Sequence, residues 1–518
     1  MTSRVAEPHP SIVPYWHGIY WLALVGLVLR IAFSLTADNL YHPDEVFQYL
    51  EPAHRLVFGY GLITWEYRFG TRSWLIPFFI SAPLYLCKIL HIDKPDIYIP
   101  LVKSIFCLVS TSLIFSGYAI GRRLVSEATG RLTAVLCCFW YELIYFSSRP
   151  LADVVSAYFL VGALACVVVA KELRRPYLFG FLTAMSLALR VQYAPVVGVI
   201  ILFAVFNWNK ECLAKAAIAS VAVIILAGWV DWLMWGGWFV SYYNNYLFNV
   251  IYGVSKLFGE EGFNWYFTQL AIASMGIFEL VFMTSLCFLR RLWLPFLCIA
   301  VLIVEHMLIP HKEYRFIFAT IPLFLMQAAA IVVLVSDKLA SAWSAKSAQW
   351  VTICVLGFIS VEGILNQLPG ENDSRIYEFN YGHQPHYVPD HIFQAFKFLY
   401  HEKNLAGVFI PSVPWSLTGG YYYLHRDVPL YFTYSYSDYN EVQQNPAAYV
   451  SHIMSFSDET LPGFSEIARF GDAVIQKQKH LPVRYLRPPS YDRAVFMPGI
   501  DDKYQSTVTP RAIDYDSQ

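Results

Sequence analysis

Charge is scarce in this chain. Asp, Glu, Lys and Arg make up 14% of the 518 residues, in near balance at 38 acidic to 37 basic. No basic stripe exists to neutralise phosphates along a groove, which argues against a nucleic-acid partner. The nine cysteines (87, 107, 137, 138, 166, 212, 287, 298, 354) fall in or beside apolar segments without metal-ligand spacing. That pattern speaks against structural zinc and a disulfide framework and for small buried hydrophobes. There is no P-loop, no HExxH and no Gly-x-Ser-x-Gly elbow. The Asp-x-Asp at Asp514–Asp516 stands at the extreme tail, so a nucleotide-sugar donor is not indicated. Neither a 20–50-residue repeat nor a low-complexity tract is visible, and Gly59-Tyr-Gly61 has charged neighbours and no flanking pore helices.

What is abundant is apolar sequence. At 57% hydrophobic and 17% aromatic, the chain lies outside the range of soluble globular domains. Stretches long enough to cross a bilayer recur from Trp16 to about Leu365. The first, about Ile19 to Leu35, is followed by no small-residue cleavage site and reads as a retained anchor. The expectation is a multi-pass membrane protein of eleven spans, at about 19–35, 98–120, 132–147, 153–170, 177–190, 194–208, 213–233, 267–289, 293–309, 316–335 and 349–366.

The segment Trp74–Leu90 decides this count. It is apolar but short and carries Pro77 and Pro83. Read as re-entrant or interfacial, it leaves the Arg/Lys-rich connections 121–131, 171–175, 209–215, 290–291 and 338–346 on one side, as the positive-inside rule requires of the cytoplasm. The other side then collects the 36–97 loop, 147–152, 190–193, 231–265, 310–315 and everything after Asn366. Carboxylates, aromatics and isolated charges thus gather at one non-cytoplasmic mouth.

Two domains are expected: a catalytic transmembrane domain over 1–368, with an active-site loop at 36–97, and a non-cytoplasmic domain over 369–518. After Pro369 no further span occurs, and short β-like runs such as Gly407–Ile410 and Val428–Phe432 predict a small α/β or α+β unit from Tyr387 to about Arg493. The last twenty-five or so residues read as poorly ordered. Asn372-Asp-Ser374 matches a glycosylation acceptor, a pattern short enough to arise by chance.

Residues 41–74 carry four carboxylates (Asp44, Glu45, Glu51, Glu66), two histidines and three arginines. Pro43 predicts a helix start, with Asp44 and Glu45 in the first turn, where carboxylates are favoured. In a regular helix Asp44, Gln48 and Glu51 share a face next to His54 or Arg55. A carboxylate at a dry mouth suits general-base work on a hydroxyl, and the bland alternative is a helix cap. In His311-Lys-Glu-Tyr-Arg-Phe316, one turn brings His311, Lys312 and Arg315 together as donors for an anion; snorkelling at a helix end explains one cation, not three. Arg149 and Asp153 form either an i, i+4 pair or a substrate contact, and Arg190 is a further isolated charge at membrane depth. The aromatic 231–265 loop suits either sugar stacking or an interfacial belt.

These segments resemble the lipid-linked mannosyltransferases of glycosyltransferase family 22. The resemblance rests on His42–His54, Phe58–Tyr67, Arg72-Ser73, Ser148–Leu151, Asp231 with Gly236-x-Trp238, and His311–Phe316, in order over about residues 40–320. Asp153 stands where the family often has Asn, and Val191-Gln192 where Pro-Thr is common. The resemblance implies an all-α polytopic GT-C fold with a large first non-cytoplasmic loop. It implies inverting transfer of mannose from a polyprenyl (dolichyl) phosphate mannose to a lipid-linked glycan, by a chain embedded in membrane lipid, with no cofactor and no metal. Asp44 and Glu45 are then the catalytic carboxylates, and His311, Lys312, Arg315 and Arg149 bind the donor phosphate. Glu51, His54, Trp65, Glu66, Arg190 and Asp231 contact acceptor or sugar. The compartment is the endoplasmic reticulum membrane in a eukaryote or the inner membrane in a bacterium. Two rival readings stand beside this one: the same chemistry with another lipid-phosphate sugar, and a lipid-glycan transporter or flippase. A transporter usually shows inverted repeats and broken helices, which are not visible here.

Overall fold

The computed structural model describes residues 16–37, 39–169, 174–338, 342–365, 390–433, 439–480, 485–486, 493–495, 497 and 499–504. The sequon at Asn372 and the Asp514–Asp516 triplet lie outside them. The described parts of the eleven apolar stretches are mainly helical, as a chain without access to water requires, since each backbone donor must find its acceptor within the segment. Among the described residues, five helices are long and apolar enough by themselves to cross a membrane, or six if Tyr141–Ser148 and Ala152–Val168, bent by 119°, make one span. The helices include Gly18–Thr36, Ala152–Val168, Pro176–Leu189, Ala194–Asn207, Lys210–Trp235, Leu289–Met307, Thr320–Lys338 and Ala342–Leu365.

Gly180 shows how closely the helices approach. A methyl group there would lie 1.9 Å from the Ala216 carbonyl oxygen on Lys210–Trp235, the backbone proximity that small residues permit in a membrane. The helices Ile277–Ser285 and Leu289–Met307 are joined by a 3₁₀ turn at Leu286–Phe288, and Phe282 stacks on Phe296 at 4.6 Å. Fourteen residues of continuous helix would separate them by about 21 Å, so the chain folds back at 286–288.

Contacts sort the connections to two ends. At one end Arg123 donates to the Val168 carbonyl at 3.0 Å, Arg174 to that of Asn207 at 2.7 Å, and Phe203 packs on Trp293, which gathers the basic connections. At the other end Asp44 meets Arg315, Glu45 meets Arg149, and the Trp235 indole donates to the Arg72 carbonyl. The helix Leu75–Ile89 stays with this second end. Its first turn meets residue 55, where the Arg55 guanidinium lies over Trp74, and its last meets residue 57, where Lys88 donates to the Val57 carbonyl at 2.6 Å. It buries Ile76, Ile80, Leu84 and Cys87 yet exposes Phe79, Tyr85, Leu86 and Ile89, as a helix lying at a lipid interface does.

Beyond residue 390 the helix Asp390–His401 covers a five-stranded mixed sheet. Its strands β1 (Val408–Pro414), β2 (Leu430–Thr433), β3 (His452–Ser455), β4 (Phe464–Phe470) and β5 (Ala473–Gln478) lie in the order β2-β1-β3-β5-β4. β1 is parallel to β2 and β3, and the β3–β5–β4 side is antiparallel. The described part of the final segment departs from the poorly ordered tail expected. Ile63 donates to the Arg493 carbonyl at 2.9 Å and Val495 to that of Ile63 at 3.0 Å. Ile500 and Tyr504 pack with Trp65, Phe69 and Phe248. Main-chain pairing and two apolar anchors order a stretch whose composition is polar.

Candidate active site

The first loop enters through Pro43, and Glu45–Leu50 winds as a π-helix before Glu51–Phe58 continues as an α-helix. The wider turn, closed by i to i+5 hydrogen bonds, breaks the shared face expected of Asp44, Gln48 and Glu51. Asp44, at the N-cap, faces the 311–316 segment. Gln48 donates to Glu66 at 3.1 Å, and Glu51 turns toward residues 420–422.

Around Asp44 six ionisable side chains converge. The Arg315 guanidinium lies 2.6 Å from Asp44 Oδ2 and 2.6 Å from Glu313 Oε2, with Asp153 Oδ2 at 3.7 Å. Arg190 Nε lies 2.7 Å from Asp153 Oδ1 and its guanidinium sits over Phe316. His42 Nδ1 is 3.2 Å from Asp44 Oδ1, and His311 Nε2 is 3.1 Å from Glu313. Burial works to raise the Asp44 pKa, but the His42 imidazole and the Arg315 guanidinium outweigh it and hold the carboxyl far below the usual carboxylate range. Asp44 is therefore ionised and partly accessible, with 19% of its side chain exposed against 3% for Glu45. Three carboxylates on one guanidinium offset a desolvation cost that an isolated buried charge could not bear.

Glu45 is committed elsewhere. It accepts from the Tyr41 and His42 backbone N–H groups at 2.8 and 3.2 Å and from Arg149 at 3.0 Å. Arg149 also donates to the carbonyl and side chain of Asn39. These contacts shape the turn at 41–45 and leave the Glu45 carboxylate, expected as a catalytic group, on Arg149 instead of beside Asp44. Arg149 pairs with Glu45 rather than Asp153, and so does not point at the Asp44 cluster. Lys312 also turns away: its ammonium donates to the backbone carbonyls of Ile309 and Glu261 at 2.6 and 3.0 Å. The joint donor face expected of Lys312 and Arg315 is not formed, because Lys312 closes the 309–312 turn onto the 259–262 loop while Arg315 serves carboxylates. His311 bridges that loop, with Nδ1 against the Gly259 carbonyl, to Glu313.

The acceptor-side expectations separate as well. Glu51 is fully buried and accepts backbone N–H groups from Leu62, Tyr421 and Tyr422 at 2.7, 3.0 and 2.8 Å. Burial pushes its pKa up to about 7 against those three donors. Gly420, at φ +57°, permits this close approach. His54 Nε2 meets His425 Nδ1 at 2.9 Å. Both residues join the loop to the carboxy-terminal domain, and neither faces open space. Trp65 is an aromatic core residue of the Ile500–Tyr504 contact. Asp231 accepts from the Ser241 N–H and hydroxyl at 2.8 and 2.7 Å, which caps the helix Val240–Tyr246. Of the six, Arg190 joins the Asp44 cluster directly; Glu66 lies off it, held by Gln48, with the charges of Arg72 and Asp44 acting on it. His42 and Glu313 are cluster members given no role beforehand, although each lies inside a segment that was singled out; Asp153, expected as a partner of Arg149 or a substrate contact, meets Arg190 and Arg315 instead. Among the described residues, His42, Asp44 and Glu313 bring ligating atoms within 4.8 Å of one another, the arrangement a metal ion would need; Arg315 already neutralises two of the three.

This cluster lies within residues 21–368, which match the model of the Alg9-like mannosyltransferase family. The chain belongs to that family. Among its relatives, GPI mannosyltransferase 3 of Yarrowia lipolytica is 30% identical over 363 residues, 68% of this chain and 70% of that one. GPI alpha-1,2-mannosyltransferase 3 of Bos taurus is 27% identical over 317 residues, 58% of this chain. The chain spans 57% of the Bos taurus relative. Among solved structures, ArnT from Cupriavidus metallidurans bound to undecaprenyl phosphate superposes with a TM-score of 0.55 at 11% identity, over 88% of this chain and 97% of that one. The Archaeoglobus fulgidus oligosaccharyltransferase in its apo form gives 0.52 at 12% identity, over 80% and 64%. At such identities the likeness is one of fold, and it is the GT-C fold. This mannosyltransferase-family chain is a multi-pass membrane protein with a small carboxy-terminal α/β unit, whose sheet lies beyond the matched residues.

Proposed function

We propose that the chain transfers mannose from a polyprenyl (dolichyl) phosphate mannose to a lipid-linked glycan, with inversion, on the non-cytoplasmic face of the endoplasmic reticulum membrane. The relatives' names favour a glycosylphosphatidylinositol precursor as acceptor and an α-1,2 linkage as product. The observation that carries the reading is the ionised, accessible Asp44 at a cluster assembled from four loops at one end of the helices. In this reading residues 1–368 catalyse, and the unit after residue 369 braces the active-site loop from the same side of the membrane.

The acceptor hydroxyl attacks the anomeric carbon while the bond from that carbon to the phosphate oxygen breaks. The phosphate leaves with the electron pair, and Asp44 receives the hydroxyl proton. A carboxylate held at so low a pKa is a weak base, so the proton moves late, as the new bond forms. Arg315 orients Asp44, and Glu313 and Asp153 hold Arg315 in place. The test is mass spectrometry of lipid-linked glycans in cells lacking the gene. Accumulation of an acceptor one mannose short, reversed by the wild-type gene, supports the reading; an unchanged glycan profile contradicts it. Accumulation of a full-length glycolipid on the wrong face would favour transport instead.

A further inference from the structure

Beside the Asp44 cluster lies a cavity of about 270 Å³ between the first loop, the end of Pro176–Leu189 and the Val240–Tyr246 helix. One part of its wall is cationic and polar, with Arg72, Ser73, Arg190 and Gln192; the other is apolar, with Leu75 and Leu189. Arg149, Lys312 and Arg315 all have their donors engaged by protein oxygens. Arg72 differs. Among the described residues its guanidinium makes no hydrogen bond or salt bridge and its Nε is buried without a partner, although the Asp44 and Glu66 carboxylates act on its charge from beyond contact distance. A buried donor in that state costs about 1–3 kcal/mol, and an incoming anion removes the cost. Arg315, by contrast, is shared among the three carboxylates of Asp44, Asp153 and Glu313.

We propose that this cavity binds the monophosphate head of a polyprenyl lipid, with Arg72 as its principal cation, Arg190 beside it, and the isoprenoid leaving across Leu75 and Leu189. The inference rests on the lipid-phosphate donor of the proposed function and moves the donor phosphate away from Lys312. The geometry connects site and base. Arg190 pairs with Asp153, Asp153 lies 3.7 Å from Arg315, and Arg315 pairs with Asp44. A sugar on a phosphate at Arg72 would reach toward Asp44 past Tyr49, which lines the cavity. A planar guanidinium presents paired donors to phosphate oxygens, a geometry an ammonium does not reproduce.

The test uses the full chain in lipid nanodiscs and measures binding of dolichyl phosphate, dolichol and inorganic phosphate, together with the KM for donor and for acceptor. Arg72→Ala should weaken dolichyl phosphate binding at least tenfold, leave dolichol unaffected and raise donor KM but not acceptor KM; Arg72→Lys should recover part of the loss. Lys312→Ala, if folded, should leave dolichyl phosphate binding unchanged. Binding of inorganic phosphate as tight as that of dolichyl phosphate would contradict a lipid site, and a rise in acceptor KM alone would make the cavity the acceptor's. If Arg72→Ala does not fold, Ala188→Trp fills the same cavity and should exclude dolichyl phosphate; unchanged binding overturns the proposal. Arg72-dependent binding without mannose transfer by wild type would sink the proposed function and leave the site standing. Transfer by wild type and Arg72→Ala with equal donor KM would do the reverse.

Discussion

Glu51→Ala separates a brace from a substrate contact. In the folded protein the Glu51 carboxylate is fully buried and accepts three backbone N–H groups, one from Leu62 in the same loop and two from Tyr421 and Tyr422. Removing it leaves three buried donors, each worth about 1–3 kcal/mol when orphaned. The expected cost is therefore roughly 3 kcal/mol at the least, a large part of the margin by which a typical protein is folded. Gly420→Ala should act on the same contact from the other side. A methyl group there would lie 2.6 Å from Glu51 Oε2, at a φ of +57° that suits glycine. Both variants should lower the melting temperature of the detergent-purified protein and open the 390–480 unit to protease before the helices lose their circular dichroism. Wild-type thermal stability of Glu51→Ala with a raised acceptor KM would refute the brace and restore Glu51 to the substrate.

Arg149→Ala leaves Glu45 charged, buried and unpaired, at a cost of about 3–5 kcal/mol; the yield of monodisperse protein should fall, and adding Glu45→Gln should restore part of it. His425 pairs with His54, and burial lowers its pKa to about 4 from 6.5. The folded state therefore binds fewer protons than the unfolded one between those values, and stability present at pH 7 is lost as the pH falls through 6.5 toward 4, by at most about 2 kcal/mol at pH 5. Hydrogen exchange at 420–425 should accelerate at pH 5 relative to pH 7, and His425→Gln should blunt the change. In intact vesicles, cysteines placed at Ala128 and Ser457, both exposed, should be labelled from opposite sides; labelling of both from one side would overturn the two-ended arrangement and the mouth it assembles.

The membrane helices were legible because lipid leaves a long apolar run one way to satisfy its backbone, and the positive connections sorted themselves by end. The fold-back within 267–309 was legible from Arg290 and Arg291, which break the hydropathy just after the turn at 286–288. Asp44 and Arg315 stood out as charges in an apolar chain, but their pairing with each other did not. A pattern of i, i+4 neighbours matches Arg149 to Asp153, and only the fold brings Glu45 to Arg149 and Asp153 to Arg190. The π-turn at Glu45–Leu50 left no mark in the sequence and rotated Glu51 away from Asp44. Lys312 and Arg315 looked alike as cations three residues apart, whereas a 3₁₀ turn at Tyr314–Ile317 sends one to carbonyls and the other to carboxylates. Arg72 was noted only as part of a motif, because an unpartnered guanidinium is a property of space and not of spacing.

The central claim is that Asp44 takes the acceptor's proton, and it is tested most directly by transfer of labelled mannose from dolichyl phosphate mannose to a lipid acceptor by purified Asp44→Asn. The amide keeps size and hydrogen bonding to Arg315's neighbours but cannot accept the proton, so the rate should fall roughly 10²–10⁴-fold with donor binding and yield nearly unchanged. Near wild-type transfer by Asp44→Asn, with Glu45→Gln inactive, would move the base one residue along; full activity of both would remove this loop from the chemistry.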